Sequence, residues 1–200
     1  MTVKLVIASN NPYKTAEMIR ILKDYGIESE SYQQQLGKLK FPAETTTSFR
    51  QNVNTKALFI SRKLPAELVL ADDSGIVLDA CPGQLGVVTS RQLAPYMPHY
   101  VEHMLTMVAG KSRHYLMRSF TTIAKNGSIV ATGLGTLTGN LAKTPRGLDR
   151  DGFDCVLIPE GMSQTLNELS RDEWLKYAHR SKAVRDVLAK AGLLKASNNG

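Results

Sequence analysis

The stretch LADDSG, at residues 70–75, most constrains how this chain can fold. An apolar run over residues 68–71 predicts a short strand that stops at two adjacent carboxylates, Asp72 and Asp73. Because side chains alternate along a strand, we expect the two carboxylates to point to opposite sides, one toward a cleft and one bracing the turn. Two acids at a strand end suit a hard cation held by oxygen ligands. A solvated turn is the alternative, because Asp, Ser and Gly are common turn residues.

The composition predicts a folded, basic protein. The chain has 200 residues, of which 42% are hydrophobic and 22% are charged. We therefore expect one domain with a sizeable core, and not a disordered, highly charged polymer. The formal net charge of +7 favours anionic ligands, a class that includes nucleotides, nucleic acids and acidic surfaces.

Cysteine usage and hydropathy predict a cytoplasmic protein. Cys81 and Cys155 are too few for a disulfide framework, and neither lies in a C-x-x-C pair that would indicate zinc. The first apolar run, residues 3–8, is too short for a signal sequence, and no run has the length of a bilayer span. We expect one domain over residues 1–195, followed by a polar tail at residues 196–200.

The first strand, turn and helix form a candidate anion site. Residues 3–8 predict a strand, and a helical period ending at Gly26 follows the turn. Asn10 or Asn11 can cap this helix, whose free backbone N–H groups and dipole favour a phosphate. Lys14, in the first turn, can add a positive charge. An ordinary capped helix with an exposed lysine is the alternative.

A second polar pair lies on the helix that we predict over residues 49–63. Asn52 and Lys56 are four residues apart and therefore share a helix face. They either face a cleft together or are simply solvated.

The rest of the chain predicts an α/β protein with a mixed sheet. The pattern predicts a strand over residues 27–35, a loop over 82–94 and a helix over 98–110. Residues 113–124 and 128–138 predict two long strands joined by an Asn126–Gly127 hairpin turn. A short strand and a final helix over residues 179–191 complete the order.

These motifs together resemble the inosine triphosphate pyrophosphatase family over nearly the whole chain. The most specific matches are SNNPYK, which resembles the family's phosphate loop, and LADDSGIVLDA, which resembles its central motif. Weaker matches in the expected order are ETTTSFRQNVNTKA (44–57), GQLGVVTSR (83–91), GFD (152–154) and AHR (178–180).

The resemblance implies a fold, an activity and an assembly. The implied fold is an elongated mixed β-sheet flanked by helices, with two lobes and an active-site cleft between them. The implied reaction is Mg²⁺-dependent hydrolysis of non-standard purine nucleoside triphosphates, such as ITP, dITP and XTP, to a monophosphate and pyrophosphate. The implied assembly is a homodimer.

The resemblance also implies residue roles. Glu44 and Asp73 would hold Mg²⁺, and Asp73 would activate the attacking water, with Lys14 and Asp72 completing the catalytic set. Phe153 would stack on the base, while His179 and Arg180 would bond its edge. The full set of implied substrate-binding residues is Ser9, Asn10, Asn11, Lys14, Lys56, Ser74, Gly152, Phe153, Asp154, Trp174, His179 and Arg180.

Most departures from the family pattern lie among the residues that the resemblance assigns to recognition of the base. Phe153 replaces a tyrosine, Trp174 replaces a base-facing lysine, and Ala178 replaces a serine. Because a site loses discrimination when a polar contact is removed, we expect hydrolysis with altered purine selectivity.

Two further hypotheses remain open. One is a nucleotide-binding protein of this family with little or no catalysis. The other is a nucleic-acid-binding protein that uses a basic series, namely Arg91, Lys111, Arg113, Arg118 and Lys125.

Overall fold

The computed structural model describes residues 3–148 and 152–194, and within them the chain forms six strands and seven α-helices. The predicted tail at residues 196–200 lies outside the described residues. The strands are β1 (Lys4–Ile7), β2 (Glu28–Ser31), β3 (Leu68–Leu78), β4 (His114–Lys125), β5 (Ser128–Leu141) and β6 (Leu157–Pro159). The helices are α1 (Pro12–Asp24), α2 (Gln33–Leu36), α3 (Phe49–Ser61), α4 (Thr89–Leu93), α5 (Tyr100–Met107), α6 (Arg171–Tyr177) and α7 (His179–Lys190).

The strands form one mixed sheet in the order β2-β1-β3-β4-β5-β6. Strand β1 pairs in parallel with both β2 and β3, whereas β5 and β6 are antiparallel. The β4–β5 turn at Asn126 and Gly127 has φ angles of 46° and 72°, as a tight hairpin requires. The predicted α/β class, mixed sheet and hairpin are confirmed.

The chain divides into two compact units. Among the described residues, unit 1 contains 3–73, 119–135 and 180–194, and unit 2 contains 74–118, 136–148 and 152–179. The single domain over residues 1–195 stays a prediction. No helix in the described parts of the chain has both the length and the hydropathy of a membrane span.

The core of unit 1 follows from strand alternation. Val69 and Ala71 of β3 are fully buried in a cluster with Val53, Ala57 and Ile60 of α3. Every second side chain of β3 therefore points toward α3, and the intervening side chains, Leu70 among them, point to the opposite face. This alternation continues into the two adjacent aspartates.

The predicted strand end at the aspartates is wrong. Strand β3 runs without interruption from Leu68 to Leu78 and carries Asp72 and Asp73 in its interior. Both carboxylates are paired with cations there, which offsets the cost of burying them and lets the strand continue.

Other element boundaries also differ from the predictions. The strand predicted at residues 27–35 is only Glu28–Ser31, followed by the short helix α2. Helix α4 lies inside the predicted 82–94 loop, and helix α5 is shorter than the predicted range 98–110. Short helices of this kind are set by local tertiary packing, which periodicity does not record.

Candidate active site

Asp72 is the centre of the first charged cluster in unit 1. Its Oδ2 lies 3.1 Å from Lys14 Nζ, and its Oδ1 lies 3.4 Å from Arg180 Nε. The Ser119 hydroxyl also donates to Oδ1. Burial would raise the pKa of this carboxyl, but the charges of Arg180 and Lys14 outweigh burial and hold the pKa below its ordinary value. Asp72 is therefore a permanent anion at neutral pH.

Asp73 is the centre of a second cluster with different partners. Lys56 Nζ lies 3.2 Å from Asp73 Oδ1 and 3.0 Å from Glu44 Oε1, and Asn52 Nδ2 donates to Asp73 Oδ2 at 3.2 Å. Burial raises the pKa of Asp73 above its ordinary value, against the opposing charges of Lys56 and Lys14. Asp73 is therefore the more basic of the two neighbouring carboxylates.

The two clusters occupy opposite faces of β3, as alternation predicts. Asp73 follows Ala71 on the face that packs against α3, and its partners Asn52 and Lys56 both belong to that helix. Asp72 instead contacts Lys14 of α1 and Arg180 of α7. The sequence therefore predicted correctly that neighbouring acids would meet different surroundings.

Asn52 connects helix α3 to the loop that contains Glu44. Its side-chain oxygen accepts from the Thr45 backbone N–H at 2.8 Å, and its amide donates to the Thr45 carbonyl at 3.2 Å. These bonds hold the loop before α3 against the helix, so that Glu44 faces Lys56. Asn52 and Lys56 are both buried, so the solvated alternative for this pair does not apply.

Lys14 contacts Asp72, but its charge also affects Asp73. The charge of Asp73 acts on the pKa of Lys14, and the charge of Lys14 acts on the pKa of Asp73. The pKa of Lys14 is lowered by burial despite the opposing effect of Asp72. The pKa of Lys56 is raised, because Asp73 and Glu44 outweigh the effect of its burial.

The start of α1 is capped by its own sequence. Asn11 Oδ1 accepts from the backbone N–H groups of Tyr13 and Lys14 at 3.0 and 3.2 Å, and the Asn11 N–H donates to Ser9 Oγ at 3.1 Å. The prediction of an Asn cap is confirmed at Asn11. These two helical N–H groups are already hydrogen-bonded, so a phosphate would have to displace the Asn11 side chain to reach them.

Asn10 is occupied by contacts within unit 1. Its amide donates to the Leu39 carbonyl at 2.9 Å, and its side-chain oxygen accepts from Tyr32 Oη and from Gln33 Nε2. This side chain fixes the loop after α2, and its predicted contact with substrate stays a prediction.

Glu17 and Ser119 are site residues that the sequence did not indicate. Arg180 Nη1 donates to Glu17 Oε2, so the guanidinium lies between Glu17 and Asp72. Glu17 lies three residues after Lys14 on α1, a spacing that places both on one helix face and could have identified it. Ser119 meets Asp72 only through the pairing of distant strands.

In unit 2, Gly75 is required by a close approach of backbone. A side chain at this position would overlap the Gly86 carbonyl oxygen and lie 2.8 Å from Thr89 Oγ1. The same hydroxyl donates to the Gly86 carbonyl at 2.6 Å, lies 3.3 Å from the Ile76 carbonyl oxygen and accepts from the Ile76 N–H. The 86–89 segment is thereby fixed on β3 beside Ser74, which is buried.

Unit 2 contains residues that we predict to bind the base, and one of them, Asp154, is a hydrogen-bond acceptor held in place by Trp174. Phe153 and Asp154 lie in a 3₁₀ turn that begins after Gly152, and Trp174 Nε1 donates to Asp154 Oδ2 at 2.7 Å. His179, the first residue of α7, is buried in the same unit. The structure thus brings Asp154 and Trp174 together.

Glu44 and Asp73 are the residues best placed to hold a metal. Their nearest oxygens both contact Lys56 Nζ and so face one small volume. The described residues contain no group of three or more His, Cys, Asp or Glu side chains arranged around a metal. A pair of carboxylates fits Mg²⁺, which usually takes one or two from the protein and fills the rest with water and substrate phosphates.

Comparison with known proteins identifies a family. Residues 5–190 match the family described as Ham1. A solved structure, the Staphylococcus aureus Ham1 protein, superimposes with a TM-score of 0.75 at 23% identity, over 95% of this chain and 97% of that one. This likeness confirms the fold.

Two curated relatives are similar over nearly their whole length. "Dihydroneopterin triphosphate diphosphatase" of Limosilactobacillus reuteri is 40% identical over 189 residues, which cover 94% of this chain and 97% of the relative. "dITP/XTP pyrophosphatase" of an Exiguobacterium species is 31% identical over 194 residues, which cover 93% and 95% respectively.

Proposed function

The chain belongs to the Ham1 family, and from that premise we propose that it is a nucleoside triphosphate pyrophosphohydrolase. Its substrates are non-standard purine nucleoside triphosphates of the ITP, dITP and XTP type, in line with the relatives named dITP/XTP pyrophosphatase. The observation that carries this proposal is the contact of Lys56 Nζ with Asp73 Oδ1 at 3.2 Å, beside Glu44, because phosphate binding and water activation need a cation and a base together.

The chemical step transfers the α-phosphoryl group to water. Asp73 accepts a proton from the attacking water, whose oxygen forms a bond to the α-phosphorus. The bond from that phosphorus to the α,β-bridging oxygen breaks, and pyrophosphate leaves with its electron pair. The raised pKa of Asp73 suits this role, because a stronger base removes the proton more readily.

Three cations bind and stabilise the phosphates. Lys14 and Arg180 lie beside Asp72, and Lys56 lies between Asp73 and Glu44. Facing Asp72 and Glu17, the Arg180 guanidinium is better suited to the phosphates than to the predicted contact with the base edge. Asp72 acts by holding Lys14 and Arg180 in place.

In this proposal Glu44 and Asp73 would hold Mg²⁺. The ion, when bound, would offset negative charge on the transferring phosphoryl group. Lys56 occupies the volume between the two carboxylates and would then turn toward the phosphates.

Dihydroneopterin triphosphate is a second candidate substrate. The 40% identical relative is named for this compound. The family resemblance implies a base-facing lysine at this position, and its replacement by Trp174, which bonds Asp154, favours a heterocycle other than hypoxanthine.

The homodimer and the cytoplasmic location complete the proposal. The homodimer is what the family resemblance implies, and the cytoplasmic location is inferred from the cysteine usage. Sedimentation of the purified chain tests the dimer.

Hydrolysis in ¹⁸O-labelled water tests the reaction. ITP, XTP, GTP and dihydroneopterin triphosphate are each incubated with the protein and Mg²⁺, and both products are analysed by mass spectrometry. We expect the label in the monophosphate. Label in pyrophosphate would contradict attack at the α-phosphorus, and no turnover of any triphosphate would overturn the proposed function.

A further inference from the structure

Asp154 in unit 2 is held in one orientation from two sides. Its backbone lies in the 3₁₀ turn Phe153–Cys155, which begins after Gly152 at a φ of 80°. Cys155 Sγ donates to the Gly152 carbonyl across this turn at 3.2 Å. From the other side, Trp174 Nε1 donates to Asp154 Oδ2 at 2.7 Å. The carboxylate therefore has a fixed position.

Trp174 is itself fixed by its helix. Helix α6 begins with a capping box in which the side chains of Ser170 and Glu173 bond each other's backbone N–H groups. The Trp174 side chain is buried, and the Arg171 guanidinium lies 4.5 Å from the centre of its ring. The indole N–H is its only polar group, and that group is used on Asp154.

The surroundings of Asp154 combine a negative charge with aromatic rings. Phe153, its neighbour in the turn, meets Tyr100 edge to face with ring centroids 5.4 Å apart. Tyr115 is near enough that its pKa, raised mainly by burial, is raised further by the Asp154 charge. A carboxylate beside aromatic side chains suits a flat heterocycle that offers N–H donors.

Trp174, in place of the lysine that the family resemblance implies, changes what this edge can recognise. A lysine at position 174 would present an ammonium that donates to a ring carbonyl. Trp174 offers no such donor, because its single N–H is bonded to Asp154. The Asp–Trp pair is thus an acceptor for hydrogen bonds from the ligand.

We infer that Trp174 is a positioning residue that directs Asp154 to accept hydrogen bonds from the 2-amino group and adjacent ring N–H of a 2-amino-4-oxopyrimidine ring. Guanine and pterins share this ring edge. The inference rests on the proposed pyrophosphohydrolase activity, and within it favours the second candidate substrate, dihydroneopterin triphosphate, over ITP and XTP.

Three nucleotides that differ only at purine C2 test this selection. GMP carries an amino donor there, IMP a hydrogen and XMP a carbonyl acceptor, which a carboxylate repels. We expect affinities in the order GMP, IMP, XMP. Because a hydrogen bond to a charged group changes affinity by about 10-fold to 100-fold, GMP should bind at least about 10-fold more tightly than XMP.

Calorimetry on the full chain measures the three affinities, and fluorescence locates the ligand. Trp174 is the only tryptophan in the sequence, so GMP bound beside it should change the intrinsic emission. Equal affinities, an order that favours XMP, or tight GMP binding with unchanged emission would each overturn the inference.

Three variants distinguish a role of Asp154 and Trp174 in ligand selection from a purely structural role. Asp154→Asn places a hydrogen-bond donor as well as an acceptor at this edge, so the affinity for XMP should rise relative to the affinity for GMP. Trp174→Phe keeps an aromatic ring but removes the N–H, so the GMP preference should weaken. Lys176→Ala, at an exposed position of the same helix, should leave the order unchanged. An unchanged order of the three affinities in both Asp154→Asn and Trp174→Phe would contradict the inference.

Turnover measurements distinguish a failure of this inference from a failure of the proposed function. Pyrophosphate release from GTP or dihydroneopterin triphosphate with a lower KM than from XTP supports the inference, and Trp174→Lys should reverse the KM ratio with less effect on kcat. Turnover with the lowest KM for XTP would refute the inference alone. Absence of turnover with every triphosphate would refute the proposed function.

Discussion

Lys56 Nζ lies 3.2 Å from Oδ1 of Asp73, on the opposite face of β3 from the contact between Lys14 and Asp72. The two adjacent aspartates thus differ in chemistry, because the pKa of Asp72 is lowered by Arg180 and Lys14 despite burial. The pKa of Asp73 is raised by burial despite Lys56. One carboxylate is fixed as an anion, and its neighbour is able to exchange a proton.

The pH dependence of kcat/KM should have two limbs that report on this site. Activity requires ionised Asp73, and at Mg²⁺ concentrations that leave the free enzyme without metal, its pKa, raised by burial, places the acid limb above the range of an ordinary aspartate. Activity also requires protonated Lys14, whose pKa is lowered by burial, so the alkaline limb should lie below the range of an ordinary lysine. A flat profile between the ordinary aspartate and lysine ranges would contradict both assignments.

Lys56→Met should move the acid limb to higher pH. Lys56 is the strongest charge that opposes the effect of burial on Asp73, so its removal raises the pKa of Asp73 further. Lys23→Met, on the exposed side of α1, is the matched control and should leave the limb in place. A shift of the Lys56→Met limb to lower pH would show that Asp73 is not the titrating group.

Asp72→Asn should destabilise the fold by about 3–5 kcal/mol near neutral pH, because it leaves two buried cations without their shared anion. The folded pKa of Asp72 is below its unfolded value, so its stabilising contribution is present above the unfolded pKa and is lost as pH falls. The difference in unfolding free energy between the two proteins should therefore shrink below about pH 4. Urea unfolding across pH measures it, and a difference that grows with acidity would contradict this account.

Gly75→Ala should destabilise unit 2 severely, because the added Cβ would overlap the Gly86 carbonyl oxygen. Gly110→Ala is the control, since no atom lies within 4 Å of its added Cβ and only its φ of 69° adds strain, at a cost of about 1 kcal/mol. Thermal unfolding compares the two. Equal losses of stability would show that the 86–89 segment moves aside easily.

The sequence predicted the parts of the site that depend on local geometry. Alternation along a strand separated Asp72 from Asp73, helical spacing put Asn52 beside Lys56, and cap chemistry identified Asn11. These relationships involve neighbours within one element. The structure shows them because no distant contact overrides them.

The parts that the sequence could not predict depend on distant elements. Strand β3 continues through the aspartates because Lys14 and Lys56, from two different helices, pair with them. The contact between Ser119 and Asp72 needs the pairing of strands 47 residues apart. The contact between Arg180 and Glu17 spans 163 residues. No local pattern encodes these pairs.

Pyrophosphate release by the wild-type chain and by Asp73→Asn, with saturating Mg²⁺ and ITP, most directly tests the central claim that Asp73 activates water beside a phosphate-binding set of cations. We predict that the variant keeps its fold, as judged by circular dichroism, and loses about 10²–10⁴-fold in kcat. A folded variant that releases pyrophosphate at the wild-type rate would contradict the claim.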